Sequence, residues 1–183
     1  MEDTTRRLLD QLAAHRTRAT LFIVGEIARS HPALVRDIAA AGHEIGSHTK
    51  SHHVLAHLTT EQIQDEVAGS YEELTRRLGE VRHFAWPEGL YSRFSAEAAR
   101  AVFQAGYLSC ASAERGCHVE RPETLLSGLC LRRDYVAANW PHDHVAYFLA
   151  ANSRSASAHS NQWPSEWIAQ ISPSIGSGRF QEG

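Results

Sequence analysis

Long apolar stretches are missing from this sequence. The strongest run, Leu21 to Val24, falls far short of the roughly 20 residues that a membrane-spanning helix needs. No membrane is therefore expected as a partner. Cysteine is scarce too: Cys110, Cys117 and Cys130 form no CxxC pair and leave one thiol over from any disulfide. Reduced, inert thiols in a cytosolic domain are the expectation. Neither sign of charge dominates, because 18 Lys+Arg against 21 Asp+Glu give a formal charge of −3. So weak a field excludes the phosphate-binding surface of a nucleic-acid binder. Met1 to Arg7 runs from acidic to basic with no apolar segment behind it. No secretory leader is expected in this chain, and a cytoplasmic location follows unless a longer form is exported.

What is present is an ordinary globular composition. The 183 residues are 43% apolar and 21% charged, which suits one domain, or one domain with a tail. The pattern alternates helix and strand. Thr4 to His15 predicts an amphipathic helix carrying Leu8, Leu9 and Leu12 on one side. Ala19 to Val24 is a continuous β-rich run, the signature of a strand buried on both faces of a parallel sheet. Pro32 opens a helix that Gly42 stops, and Glu44 to Ser47 is a short strand. Thr59-Thr60-Glu61-Gln62 fits a capping box, with Ile63, Val67, Tyr71 and Leu74 on the inner face of the helix behind it. Phe84-Ala85-Trp86, Tyr107 to Ala111 and Leu129-Cys130-Leu131 are further strands, and Ser95 caps a helix that Gly106 ends. A last helix runs from about Asp143 to Ala150. The βα rhythm predicts an α/β fold with a parallel sheet or barrel, whose chemistry sits at the C-terminal strand ends. The domain is placed at residues 1–151. Residues 152–183 hold 8 Ser, 3 Gly and 2 Pro without a steady period, and are expected to form a mostly irregular tail.

Histidine is the abundant residue, 12 in 183. His48 and His52 stand four apart, a spacing at which two imidazoles can reach one metal ion. Spacing alone is a weak signal. About one such pair is expected by chance, and His53 with His57 makes a second.

Context sharpens it. Ala19-Thr20-Leu21-Phe22-Ile23-Val24-Gly25, then His31-Pro32-Ala33-Leu34-Val35, then Ala41-Gly42-His43-Glu44-Ile45-Gly46-Ser47-His48-Thr49-Lys50-Ser51-His52 resemble the polysaccharide deacetylase family. This is the NodB-homology group, also called carbohydrate esterase family 4 (CE4). The family's second motif, His-Ser/Thr-x-x-His after Gly-His-Glu-Ile-Gly, is matched position by position. The resemblance reaches about Ala150 and loosens after Gly89. It implies a distorted (β/α) barrel and a metal-dependent hydrolase that removes N-acetyl groups from amino-sugar saccharides. It also implies a divalent metal, usually zinc, bound by His48 and His52. A bound metal polarises the acetyl carbonyl and lowers the pKa of its water, while a carboxylate base and an acid move the protons.

Phe84-Ala85-Trp86-Pro87-Glu88-Gly89 resembles the family's third motif, which lines the substrate groove and offers a backbone N–H to the oxyanion. Trp86, Pro87, Glu88, Gly89 and Tyr91 are the groove candidates on this reading, although a core role for Trp86 is the alternative. The usual arginine and tyrosine of that motif are replaced by Ala85 and Glu88. The first motif, Thr-Phe-Asp-Asp-Gly, is missing, and with it the usual aspartate base and third metal ligand. Met1 falls just after the place where that strand should end, so the resemblance implies a barrel incomplete at its N-terminal edge. Ala19 to Val24 would then expose its backbone groups. The late Leu-x-His motif is also not recognisable, and His142, Asp143 and His144 fit a helix start. The catalytic residues are therefore unknown at this stage. Alternatives are a non-catalytic carbohydrate-binding relative and a histidine-rich metal-binding protein.

Overall fold

The computed structural model describes residues 2–114, 117–118, 129–133, 140–152, 156–157, 163, 167 and 170–171. Its centre is a five-stranded parallel sheet in the order β1-β2-β3-β4-β6. The strands are β1 (Thr20–Ile23), β2 (Glu44–Ser47), β3 (His83–Ala85), β4 (Ser109–Ala111) and β6 (Leu129–Leu131). Two short strands, β5 (Cys117–His118) and β7 (Ala156–Ser157), pair separately. Helices α1 (Glu2–Ala14), α2 (Gly25–Ser30), α3 (Pro32–Ala40), α4 (Thr60–Leu78), α5 (Ala96–Ala105) and α6 (His142–Asn152) connect or follow them. The α/β expectation holds. Among the described residues the sheet is open, and β1, paired only with β2, forms its edge.

Alternation along the strands gives the sheet two different faces. Ile23, Ile45, Phe84, Cys110 and Cys130 join one core with Val35 and Ile38 of α3, Val67 and Leu74 of α4, and Val102 of α5. The other face mixes polar and apolar side chains. Thr20, Phe22, Glu44, His83, Ser109, Leu131 and Arg133 line a cleft of about 320 Å³. Across its floor the Thr20 hydroxyl donates to Glu44 at 3.1 Å, Glu44 lies 3.2 Å from His83 Nε2, and His83 Nδ1 lies 2.8 Å from the Ser109 hydroxyl. Gly46 keeps this face tight: a Cβ there would sit 2.5 Å from the Phe22 ring and 2.9 Å from the carbonyl oxygen of His83.

One sequence expectation needs correction. Gly25 does stop β1, but it also opens α2, a helix that has no side-chain cap to announce it. Among the described residues beyond 152, Trp163 and Ile171 are buried in the main core. Among the described residues no helix is long and apolar enough to cross a membrane.

Candidate active site

The histidine segment leaves the C-terminal end of β2 and turns back toward α4. Its conformation is unusual: Thr49 and His52 have φ of 65° and 68°. A left-handed β-branched residue is costly and needs outside support. Support comes from two sides. The first amides of α2 reach in, with Gly25 N donating to the Thr49 carbonyl and Glu26 N to the Lys50 carbonyl, both at 2.9 Å. From α4, Glu66 accepts the amides of Lys50 at 3.1 Å and Ser51 at 2.9 Å, and its other oxygen accepts the Ser51 hydroxyl. Within the turn the Thr49 hydroxyl accepts the His52 amide at 2.9 Å.

This fold of the loop brings His48 and His52 together. Their ring centroids are 4.7 Å apart, edge to face. His48 Nδ1 lies 2.8 Å from the carbonyl oxygen of Ala85, so Nδ1 carries the proton and Nε2 keeps its lone pair. Burial lowers the His48 pKa to about 4; the Ala85 bond opposes this, and the nearby Arg133 and His52 add to it. His48 is therefore neutral at physiological pH, the form in which imidazole binds metals. His52 is exposed. Two side chains of a metal-ligating type are thus brought together. Among the described residues no group of three or more His, Cys, Asp or Glu side chains could hold a metal ion. The donor set fits a divalent ion as an imidazole pair and falls short of the three protein ligands of catalytic zinc sites.

The second His-x-x-x-His pair has a different fate. His53 Nδ1 lies 3.0 Å from Glu66 Oε1, and His57 is an exposed residue ending the short 3-10 turn Leu55–His57. Asp3 is exposed on α1. Asp143 and His144 are exposed in the first turn of α6.

The third-motif residues divide. Trp86 is fully buried and stacks on Phe94 at 4.1 Å with 9° between the rings, so its side chain is core and offers no face to a sugar. Its amide is also engaged, donating to the Ala111 carbonyl at 3.2 Å. The groove expectation for the Trp86 side chain is thereby corrected: Phe94 stacks on the ring and Trp163 meets it edge to face, so it sits in the core. Pro87 is buried beside it. Glu88 is exposed with φ of 59° and pairs with Arg93 at 2.8 Å. Gly89 has φ of 70°, and a Cβ there would meet Ala113 at 2.4 Å. Tyr91 is half-buried, with ring contacts to Phe94 and Trp167. Burial pushes its hydroxyl pKa up.

Two functional neighbours were not legible in the sequence. Arg133 lies over the Phe22 ring, 5.9 Å from its centroid, and donates to the Trp86 carbonyl at 3.0 Å. Glu66 is 5% exposed in the middle of α4. Burial works to raise its pKa, but hydrogen bonds from Ser51, His53 and the Ser51 amide outweigh it and hold the carboxyl below its ordinary value. Its signal was present: a glutamate three residues after Ile63, on the apolar stripe of the helix.

Known proteins share parts of this chain's sequence and its fold. A peptidoglycan-N-acetylglucosamine deacetylase of Bacillus cereus is 37% identical over 83 residues, covering 45% of this chain and 30% of that protein. A chitooligosaccharide deacetylase of Rhizobium leguminosarum is 36% identical over 95 residues, covering 49% and 44%. The chain thus spans less than half the length of these curated relatives. Among solved structures, a CE4 family pseudoenzyme from Bacillus anthracis superimposes with a TM-score of 0.62 at 17% identity, over 84% of this chain and 57% of that one. It shares the fold. The family model described as polysaccharide deacetylase matches residues 1–107, more than half of the sequence, and the chain belongs to the polysaccharide deacetylase family.

Proposed function

We propose that this chain acts on N-acetylated amino-sugar saccharides, with His48 and His52 as protein ligands of a divalent metal, zinc being the expected one. The observation that carries the reading is the imidazole pair at the end of β2, with His48 neutral and its Nε2 turned away from the Ala85 bond. The likeness to enzymes named as peptidoglycan and chitooligosaccharide deacetylases supports the substrate class. When bound, a divalent ion supplies Lewis acidity toward an acetyl carbonyl and its attacking water. The chain's own residues orient and desolvate. Ala85 fixes the tautomer of His48, and Arg133 places a half-buried positive charge near it.

A second reading has its own observation. No carboxylate joins the imidazole pair among the described residues, so a saccharide-binding relative without turnover is the competing function. Elemental analysis of the purified chain beside a His48→Ala, His52→Ala double variant separates the two, when followed by an acetate-release assay on chitooligosaccharide. Near-stoichiometric zinc that the double variant loses, together with acetate release, supports the hydrolase. Saccharide binding without metal or acetate release supports the second reading.

A further inference from the structure

Glu66 does more than close a surface polar network. It is buried, and its carboxylate faces three donors on the segment between the two site histidines, the Lys50 and Ser51 amides and the Ser51 hydroxyl, with His53 Nδ1 just beyond that segment at 3.0 Å. The Lys50 amide also lies 3.0 Å from the backbone carbonyl of Glu66. On the far side of the same turn the two α2 amides hold Thr49 and Lys50 by their carbonyls. Between these clamps sit the two left-handed residues, Thr49 and His52. A strained turn of this kind persists only where its surroundings over-determine it.

The chemistry requires an acceptor at this position. One carboxylate oxygen faces the Lys50 and Ser51 amides, which can only donate. The other faces the Ser51 hydroxyl and His53 Nδ1, which lie 2.7 Å from each other and can each donate or accept. An alanine leaves the amides without their side-chain acceptor, whereas a glutamine can keep its carbonyl oxygen on them and turn its NH₂ toward the hydroxyl and the ring.

We propose that Glu66 is the positioning residue of the His48–His52 pair. Its carboxylate holds residues 49–52 in the left-handed turn that sets the two rings 4.7 Å apart. The pair's metal role rests on the function proposed above, whereas the turn does not, so the test reads them separately. Glu66→Ala in the full chain is compared with Glu66→Gln and with Asp65→Asn, which removes only the exposed partner of the Lys50 side chain at 2.8 Å. Amide hydrogen exchange and the imidazole resonances are recorded on metal-free protein, and zinc binding is then measured by calorimetry.

Glu66→Ala is expected to lower amide protection at Ser51 by roughly tenfold or more, and to shift the His52 ring resonances. Protection of Val67 and Leu74 stays unchanged. Zinc affinity falls about 10–100-fold, the usual cost of losing a partner that orients a ligand. Glu66→Gln, which keeps an acceptor for the amides, holds Ser51 protection within about threefold of wild type, and Asp65→Asn changes none of these. Unchanged protection and resonances in Glu66→Ala overturn the proposal. So does an equal loss of protection at the loop and the core, which marks a residue of the fold alone. If the wild type binds no zinc while the loop still responds, the metal reading falls and the positioning role stands. Should Glu66→Ala not fold, Ser51→Ala removes one donor and leaves the carboxylate. A shift of the His52 resonances there supports the proposal, and their constancy overturns it.

Discussion

His48 Nδ1 lies 2.8 Å from the carbonyl oxygen of Ala85, a bond that joins the histidine loop after β2 to the last residue of β3. Through it the second and third sequence motifs become one site. The bond decides which nitrogen of His48 is free, and β3 in turn is fixed by its parallel register with β4.

On the proposed function, zinc binding rests on the first histidine pair and not the second. His48→Ala and His52→Ala are each expected to lower zinc affinity at least tenfold. His57→Ala, an exposed change at the end of a 3-10 turn, is expected to leave it within twofold. Calorimetric titration with zinc checks all three. Damage from the His57 change alone would mean that the ligand pair is misassigned.

Acid should weaken the metal-free protein in a defined window. An unfolded His48 protonates near its ordinary value of 6.5, while the buried ring in the folded chain resists until about pH 4. Its contribution is complete above pH 6.5 and is lost as the pH falls through this interval, amounting to about 3 kcal/mol at most. Urea midpoints between pH 7 and 4 in chelator-treated wild type should fall more steeply than in His48→Asn. Parallel curves would show that the ring does not stay neutral.

Gly46 answers to space. Its missing Cβ would stand 2.5 Å from the Phe22 ring and 2.9 Å from a backbone oxygen, and the backbone cannot swing aside as a side-chain tip does. Gly46→Ala is expected to cost roughly 1–3 kcal/mol through overpacking, read as a lowered urea midpoint. An unchanged midpoint would place Phe22 elsewhere.

The Thr59 cap makes a smaller and separate claim. Its hydroxyl accepts the Gln62 amide, and the Gln62 side chain returns to the Thr59 amide at 2.9 Å. Thr59→Ala should cost about 1 kcal/mol without touching zinc affinity. An effect on zinc binding would mean that the start of α4 communicates with the loop that Glu66 holds.

Much of the architecture was legible because it obeys local rules. Pro32, the Thr59 capping box and the Ser95 cap opened helices where they stand, and Gly106 ended α5 in a left-handed conformation. The strand Glu44–Ser47 was found at its own limits. Failures came where distant backbone supplies what side chains do not. α2 begins without a side-chain cap because the carbonyls of Thr49 and Lys50, some 25 residues on, accept its first amides. Trp86 looked like a groove residue because the motif places it at a strand end, and only Phe94 and Trp163 packing over it make it core.

By itself the sequence determined the α/β class, the family and the His48–His52 pair, since these rest on residue periodicity and on a motif read in one continuous stretch. Tertiary structure alone decided the tautomer of His48, the half-buried charge of Arg133 near it and the hold of Glu66 on the loop. Each of these joins residues that are at least 15 positions apart in sequence. A hydrogen bond or a desolvated charge is set by distance in space, and the order of the residues along the chain does not encode that distance.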